Sequence, residues 1–201
     1  MEWFVYVIII AAVVLAAVLA LIIRKAVLQS KGVYLKNQVT AKLRGYARLR
    51  QYKVLTDLRL PYRDGVKEIS HLLIGIFGVI IVDAHSLTGE LYGTVDDKKW
   101  AFVPKKGAKQ MLPNLSLDLQ EKADAVRQTF AAKGIYKLNF DSINVVQNSQ
   151  KKLTLYVANS LPIIRLNRLG AFLNKSKNDT DAGVDMEKLA GILKDASEGV
   201  S

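Results

Sequence analysis

Cysteine is absent from this chain of 201 residues. That excludes disulfides, thiolate zinc sites, iron–sulfur clusters and a cysteine nucleophile. Histidine occurs only at His71 and His85, too few for a multi-histidine metal centre. There is no Walker-type glycine-rich phosphate loop, no Gly-x-Ser-x-Gly turn and no internal repeat. Acidic residues are scarce: none lies between Trp3 and Thr56, and the whole chain carries 18 Asp+Glu against 29 Lys+Arg. The net charge of +11 favours anionic partners, either nucleic acid or acidic lipid. With 50% hydrophobic residues the chain is too apolar to be disordered throughout, and its length suits one domain with an appendage.

What is present, first, is a run of 21 apolar residues from Trp3 to Ile23. As a helix rising about 1.5 Å per residue it would be roughly 31 Å long, the thickness of a bilayer's hydrocarbon core. A cleaved signal peptide fits less well. Glu2 stands where a basic n-region is needed, the run is too long, and no clear small-x-small site follows. Residues 1–23 are therefore expected to form a transmembrane anchor and residues 24–35 a basic juxtamembrane linker. Arg24, Lys25, Lys31, Lys36, Lys42, Arg44, Arg48, Arg50 and Lys53 follow the anchor with no acid among them. The positive-inside rule then places the N-terminus outside and the remainder in the cytoplasm. The cations from Arg24 to Arg50 are also candidates for contact with anionic lipid, at about 1 kcal/mol per charge near the surface, or with nucleic-acid phosphates.

Beyond the anchor, Val39, Leu43 and Tyr46 recur at helical spacing among basic residues, which predicts a basic amphipathic helix over 36–52. Val54 to Leu60 alternates and stops at Pro61, a strand pattern. Val66 to Ile74 and Val79 to Ala84 read as two more strands around the turn Gly75-Ile76-Phe77-Gly78. The uncharged stretch from Ile69 to Val82 is too short to cross a bilayer, so it is assigned to buried strands. Gly89 to Val103 reads as a hairpin, and Pro104 to Asn114 as a polar loop with three lysines. Leu119, Ala123, Val126 and Phe130 mark a second amphipathic helix over 115–133, with Gly134 suited to its C-cap. Ile143 to Val146 and Leu153 to Val157 are short strands, and Pro162 is expected to open a last helix to about Leu173. The result is a mixed α/β or α+β domain over 36–173, followed by a flexible polar tail over 174–201. A short helix around Met186, Leu189, Ile192 and Leu193 in that tail could dock onto a protein partner. Tyr34, Tyr46 and Tyr52 alternate with cations and could stack bases, though their helical spacing favours core packing, as the sheet does for Trp100.

The stretch Val54 to Trp100 carries a distinctive order of features. These are Leu60-Pro61, then Glu68-Ile69-Ser70-His71, Phe77-Gly78, Val82-Asp83-Ala84-His85, Gly89, Gly93 and Trp100. In this order they resemble the nuclease-related domain (NERD), over roughly residues 36–173. The resemblance implies a restriction-endonuclease-like mixed sheet flanked by helices, in a family whose members are frequently tethered by a membrane helix. It also implies a catalytic scheme of two carboxylates on adjacent strands holding a divalent cation, and a lysine on the same strand face as the second carboxylate to position water. Here the first carboxylate position falls on Ser70, the second on Asp83 in place of Glu, and the lysine position on His85. The family's helix-borne glutamate falls in the acid-free stretch Lys36 to Gln38.

With Ser70 unable to bring a negative charge to Mg²⁺, the chemistry is expected to be degenerate and no cofactor is expected. One rearrangement stays open: Glu68 shares a strand face with Ser70, so Glu68, Asp83 and His85 could form a remodelled Mg²⁺ or Mn²⁺ site with His85 as base or ligand. Ser70 and His71 point to opposite strand faces and are no nucleophile–base pair. Three readings follow. The first is a single-pass protein of a bacterial plasma (inner) membrane presenting an inactive domain that binds nucleic acid, anionic lipid or a protein partner. The second is an active metal-dependent nuclease with a rearranged site. The third is a structural subunit of a membrane complex.

Overall fold

The computed structural model describes Trp3, Val14 and residues 33–146, 153–175, 178 and 180–200. No helix among the described residues is long and apolar enough to cross a membrane. The Trp3 to Ile23 run, with Arg24, Lys25 and Lys31 after it, lies outside the described residues apart from Trp3 and Val14.

Helix α1 (Val33–Arg48) leads into strands β1 (Lys53–Tyr62), β2 (Gly65–Gly75) and β3 (Gly78–His85). Strands β4 (Gly89–Gly93), β5 (Lys99–Pro104) and β6 (Gln110–Pro113) follow, then helix α2 (Leu115–Ala131). Strands β7 (Phe140–Val146), β8 (Leu153–Val157) and β9 (Ile163–Arg165) come next. A 3₁₀ turn (Leu166–Arg168), α3 (Leu169–Leu173) and α4 (Met186–Glu198) complete the order. One sheet runs β1-β2-β3-β7-β9, and the other β6-β5-β4-β8. β1, β2 and β3 are antiparallel neighbours, whereas β7 joins β3 and β9 joins β7 in parallel. A parallel neighbour needs a long crossover, and α2 lies in the one between β3 and β7.

Helices cover both faces of the first sheet, so its central strands read as continuous apolar runs. Leu72, Ile74, Val79 and Ile81 pack with Leu119, Ala123, Val126 and Phe130 of α2. The alternate positions Leu73, Ile80 and Val82 pack with Leu35, Val39, Leu43 and Ala47 of α1. The second sheet closes its own cluster around Leu91, Trp100, Phe102 and Leu153. The mixed α+β architecture expected from the sequence is thus present. Tyr46 and Tyr52 pack against each other and Tyr52 against Phe77, which uses these rings in the core rather than as a stacking surface.

Three assignments differ from the sequence reading. β1 continues through Pro61, because β1 is an edge strand and a missing N–H there breaks no inner ladder. Part of the segment read as a polar loop forms β6, paired with β5 from Lys99↔Pro113 to Phe102↔Gln110. Pro162 opens a strand, not a helix: Ile163–Arg165 pairs in parallel with Asn144–Val146, and the helix is confined to Leu169–Leu173.

The polar tail expected over 174–201 contains α4, capped by Asp185, whose side chain accepts from the Lys188 amide. Leu189, Ala190 and Leu193 of this helix are buried against β1, β2 and α2. The apolar face suggested for a partner is therefore used by the domain's own core.

Candidate functional site

The first sheet opens at one point, and the candidate site lies there. The β1–β2 ladder skips the pair Asp57 and Ser70, and Asp57 has φ 55°, a left-handed conformation that Asp tolerates. The β2–β3 ladder ends at His71↔Val82, one residue short of Ser70 and Asp83. Ser70 and Asp83 therefore face each other just past the paired region. A cavity of about 460 Å³ opens beside them, lined by Lys36, Asp57, Glu68, Asp83, His85 and Lys122, among others.

Asp83 is 3% exposed and surrounded by donors. The Ser70 hydroxyl donates to Oδ1, and the Ala84 amide donates to the same oxygen at 3.1 Å. The Lys122 ammonium donates to Oδ2, and His85 Nε2 lies 3.3 Å from it. Lys122 Nζ also contacts Asp118 Oδ2 at 2.7 Å, one helical turn earlier on α2. Lys67 Nζ joins Asp118 at 3.0 Å and Glu121 at 2.5 Å. Charges thus alternate from Asp83 through Lys122, Asp118 and Lys67 to Glu121.

The protonation states follow. Burial pushes Asp83 up, but the hydrogen bond and charge of His85, with the Lys122 ammonium, hold it well below the usual carboxylate range. Burial lowers Lys122, and Asp83 and Asp118 outweigh it, so its ammonium is held above the ordinary lysine value. His85 Nε2 also lies 2.9 Å from Asn144 Oδ1, and Asn144 Nδ2 donates to the Leu115 carbonyl at 3.0 Å. That second bond fixes which amide atom faces His85. Nε2 meets two acceptors and carries the proton.

The residues singled out from sequence are partly brought together. Asp83, His85 and Ser70 converge; Glu68 lies exposed at the rim of the same cavity. Lys36 lines that cavity and lies 3.8 Å from Asp57. Lys42, Arg44 and Arg48 are exposed on α1, while Arg50 lies 4.2 Å over the Tyr46 ring. His71 is on the opposite face, with Nε2 2.9 Å from Thr40 Oγ1 on α1.

Lys122 was missed. It occupies the buried face of α2, three residues after Leu119 and four before Val126, with Asp118 one turn back. A lysine on a core stripe with a carboxylate at i−4 is the sequence signal that identifies it.

Residues 31–147 match the nuclease-related domain family. The chain belongs to this family. No match is found among curated proteins or among solved structures.

Several NERD motif positions have a physical explanation here. Gly89 has φ 141°, and a Cβ there would lie 2.0 Å from the Val103 carbonyl oxygen. A Cβ on Gly93 would lie 2.2 Å from the Trp100 ring, which is fully buried and donates its indole N–H to the Thr94 carbonyl at 2.9 Å. Gly93 and Trp100 therefore pack as one unit, and Gly89 admits the close approach of the β5 backbone.

The divalent cation implied by nuclease chemistry does not fit the donor set. Both Asp83 oxygens already accept from protein donors, one of them an ammonium. No group of three or more His, Asp or Glu among the described residues could hold a metal ion.

Proposed function

We propose that this chain is a membrane-anchored nuclease-related domain that binds nucleic acid without cutting it. The observation that carries the reading is the Lys122 ammonium between the Asp83 and Asp118 carboxylates, where a nuclease needs a divalent cation. Ser70 adds a hydrogen bond in place of a second carboxylate. The pocket is electrostatically complete without an ion, so the domain keeps the fold and gives up the chemistry.

Binding rests on charge. α1 carries no acidic residue, and its outward positions include Lys42, Arg44 and Arg48. Over residues 24–173 there are 25 Lys+Arg against 11 Asp+Glu, a surplus suited to phosphates. The anchor reading rests on the 21-residue apolar run, within which Trp3 and Val14 are helical and exposed. The basic segment after it orients the domain to the cytoplasmic side of a bacterial plasma membrane.

The test is to incubate the full chain, in zwitterionic nanodiscs, with DNA and RNA in Mg²⁺ or Mn²⁺. Intact nucleic acid retained at low salt and released at high salt is the expected result. Cleavage that disappears in Asp83→Asn overturns the reading in favour of a rearranged active nuclease built on Glu68, Asp83 and His85.

A further inference from the structure

The outer face of the second sheet carries a row that no part of the Asp83 site uses. Register aligns Tyr156 with Tyr92, Tyr92 with Ala101, and Ala101 with Met111, across β8, β4, β5 and β6. Their chain neighbours Leu91 and Trp100 point inward to the core cluster, so this row points outward. Tyr92, Tyr156 and Met111 are 37%, 53% and 55% exposed. The two tyrosine rings stack on each other, centroids 4.5 Å apart and planes within 7°. The Tyr92 hydroxyl donates to Glu90, which fixes that ring.

We propose that this row is a stacking platform for the bases of a single-stranded nucleic acid. The inference rests on the reading of the chain as a nucleic-acid binder and adds the strand type and the surface. Strands lie about 4.8 Å apart, so Tyr92 and Met111, two strands apart, stand about 9.6 Å apart across Ala101. A base sandwiched between two neighbours needs about 6.8 Å, twice the 3.4 Å base step. The methyl of Ala101 leaves that slot open. The free face of Tyr156, at the edge of the sheet, offers a second stacking position. In a duplex both faces of each base are already covered, so a single strand is the ligand.

The surrounding charge suits its backbone. Lys98 and Lys99 flank the row, and Lys105, Lys106 and Lys109 lie in the β5–β6 connection, all exposed. The nearby acids are Glu90, Asp96 and Asp97. Glu90 is engaged by Tyr92, and Asp97 accepts from the Thr94 amide at 2.8 Å.

The test measures binding of the full chain, in zwitterionic nanodiscs, to labelled oligothymidylate and to an abasic strand of the same length. The wild type is expected to prefer oligothymidylate by about tenfold or more, as one or two stacked bases would give. The double variant Tyr92→Ala/Tyr156→Ala should lose that preference while keeping its affinity for the abasic strand. The double Phe variant, which keeps both rings, should retain the preference. Ala101→Leu, which fills the slot without removing a ring, should reduce it. Equal affinity for both strands, or a preference untouched by the Ala and Leu variants, overturns the platform and leaves the binding reading standing. Binding of neither strand at low salt overturns both. A double Ala variant that binds normally but turns a dimer into a monomer assigns the face to a second copy, and the platform is then wrong.

Discussion

The Lys122 ammonium sits on the Asp83 carboxylate, joining the middle of α2 to the end of β3. Each partner is buried, and each would be expensive to bury alone. The pair therefore ties the helix to the open corner of the sheet, and Asp118 extends the tie along α2. An ammonium delivers one positive charge through directional N–H bonds. It shares that charge between the Asp83 and Asp118 carboxylates.

Breaking this pair is expected to destabilise the domain strongly. Lys122→Met keeps most of the side-chain volume and removes the ammonium, which leaves buried Asp83 with His85 alone among its charged partners. A loss of about 3–5 kcal/mol is expected, the usual consequence of stranding one buried charge. Urea unfolding of the full chain in detergent measures it. The combination Lys122→Met/Asp83→Asn should recover part of the loss, because both charges then disappear. A single variant within about 0.5 kcal/mol of wild type would mean the pair carries no such energy.

Much of this was legible in the sequence. The apolar strands around the Gly75–Gly78 turn, α1, the β4–β5 hairpin and α2 follow from periodicity and turn chemistry. Asp83 and His85 fall at one strand end because residues two apart share a face. The convergence of Lys122 on Asp83 was not legible, since it depends on how α2 crosses the sheet and not on local pattern. β9 was misread because Pro162 suits a helix start as well as an edge strand, and only pairing with β7 decides between them. The helix of α4 is legible from the spacing of Met186, Leu189, Ile192 and Leu193, but its docking onto the domain's own core rather than a partner is not, since polar flanks on both sides suit either.

Stability should be highest between about pH 7 and pH 10. Asp83 and Asp118 are held below their ordinary range, so their contribution is present above about pH 3.9 and is lost as pH falls through the depressed folded values. Lys67 and Lys122 are raised, so theirs is present below about pH 10.4 and is lost as pH rises through the raised folded values. Burial pushes His71 down against the pull of the Lys36 and Val82 carbonyls. Its neutral ring is favoured in the fold, so stability begins to fall below about pH 6.5, before the carboxylates titrate. Urea midpoints across pH should show this shallow early decline, and His71→Gln should flatten it. A wild-type profile flat from pH 4 to 7 would contradict the buried neutral imidazole.

Divalent cations should leave the protein unmoved. A ligand that binds only the folded state raises stability by about 2.7 kcal/mol at a hundred times its Kd. With Asp83 already saturated by Lys122, Ser70, Ala84 and His85, Mg²⁺, Mn²⁺ and EDTA should each shift Tm by less than about 1 °C, well under the several degrees that such an energy gives. Calorimetric titration with Mn²⁺ should give no saturable heat. A tight saturable isotherm abolished in Asp83→Asn would mean that Lys122 yields its place to the ion.

α4 should prove integral to the domain rather than an appendage. Leu193 is fully buried in the cluster that α4 shares with α2 and the first sheet, and Leu189 lies one turn before it. Polar contacts fasten the same helix: Lys53 pairs with Glu187, and the Arg59 amide donates to Ser197 Oγ at 2.9 Å. The Ala182 amide, just before the helix, donates to the Ile76 carbonyl in the β2–β3 turn at 2.8 Å. Leu193→Ala removes a fully enclosed side chain, and about 2–5 kcal/mol of stability should go with it. Lys194→Ala, at an exposed position on the same helix, should change little and controls for helix propensity. Urea unfolding compares the two, and amide exchange adds a second readout. If α4 is part of the cooperative unit, its amides exchange at the rate of the central strands; exchange near the rate of an open chain, with Leu193→Ala neutral, would return residues 186–198 to the role of a loose tail.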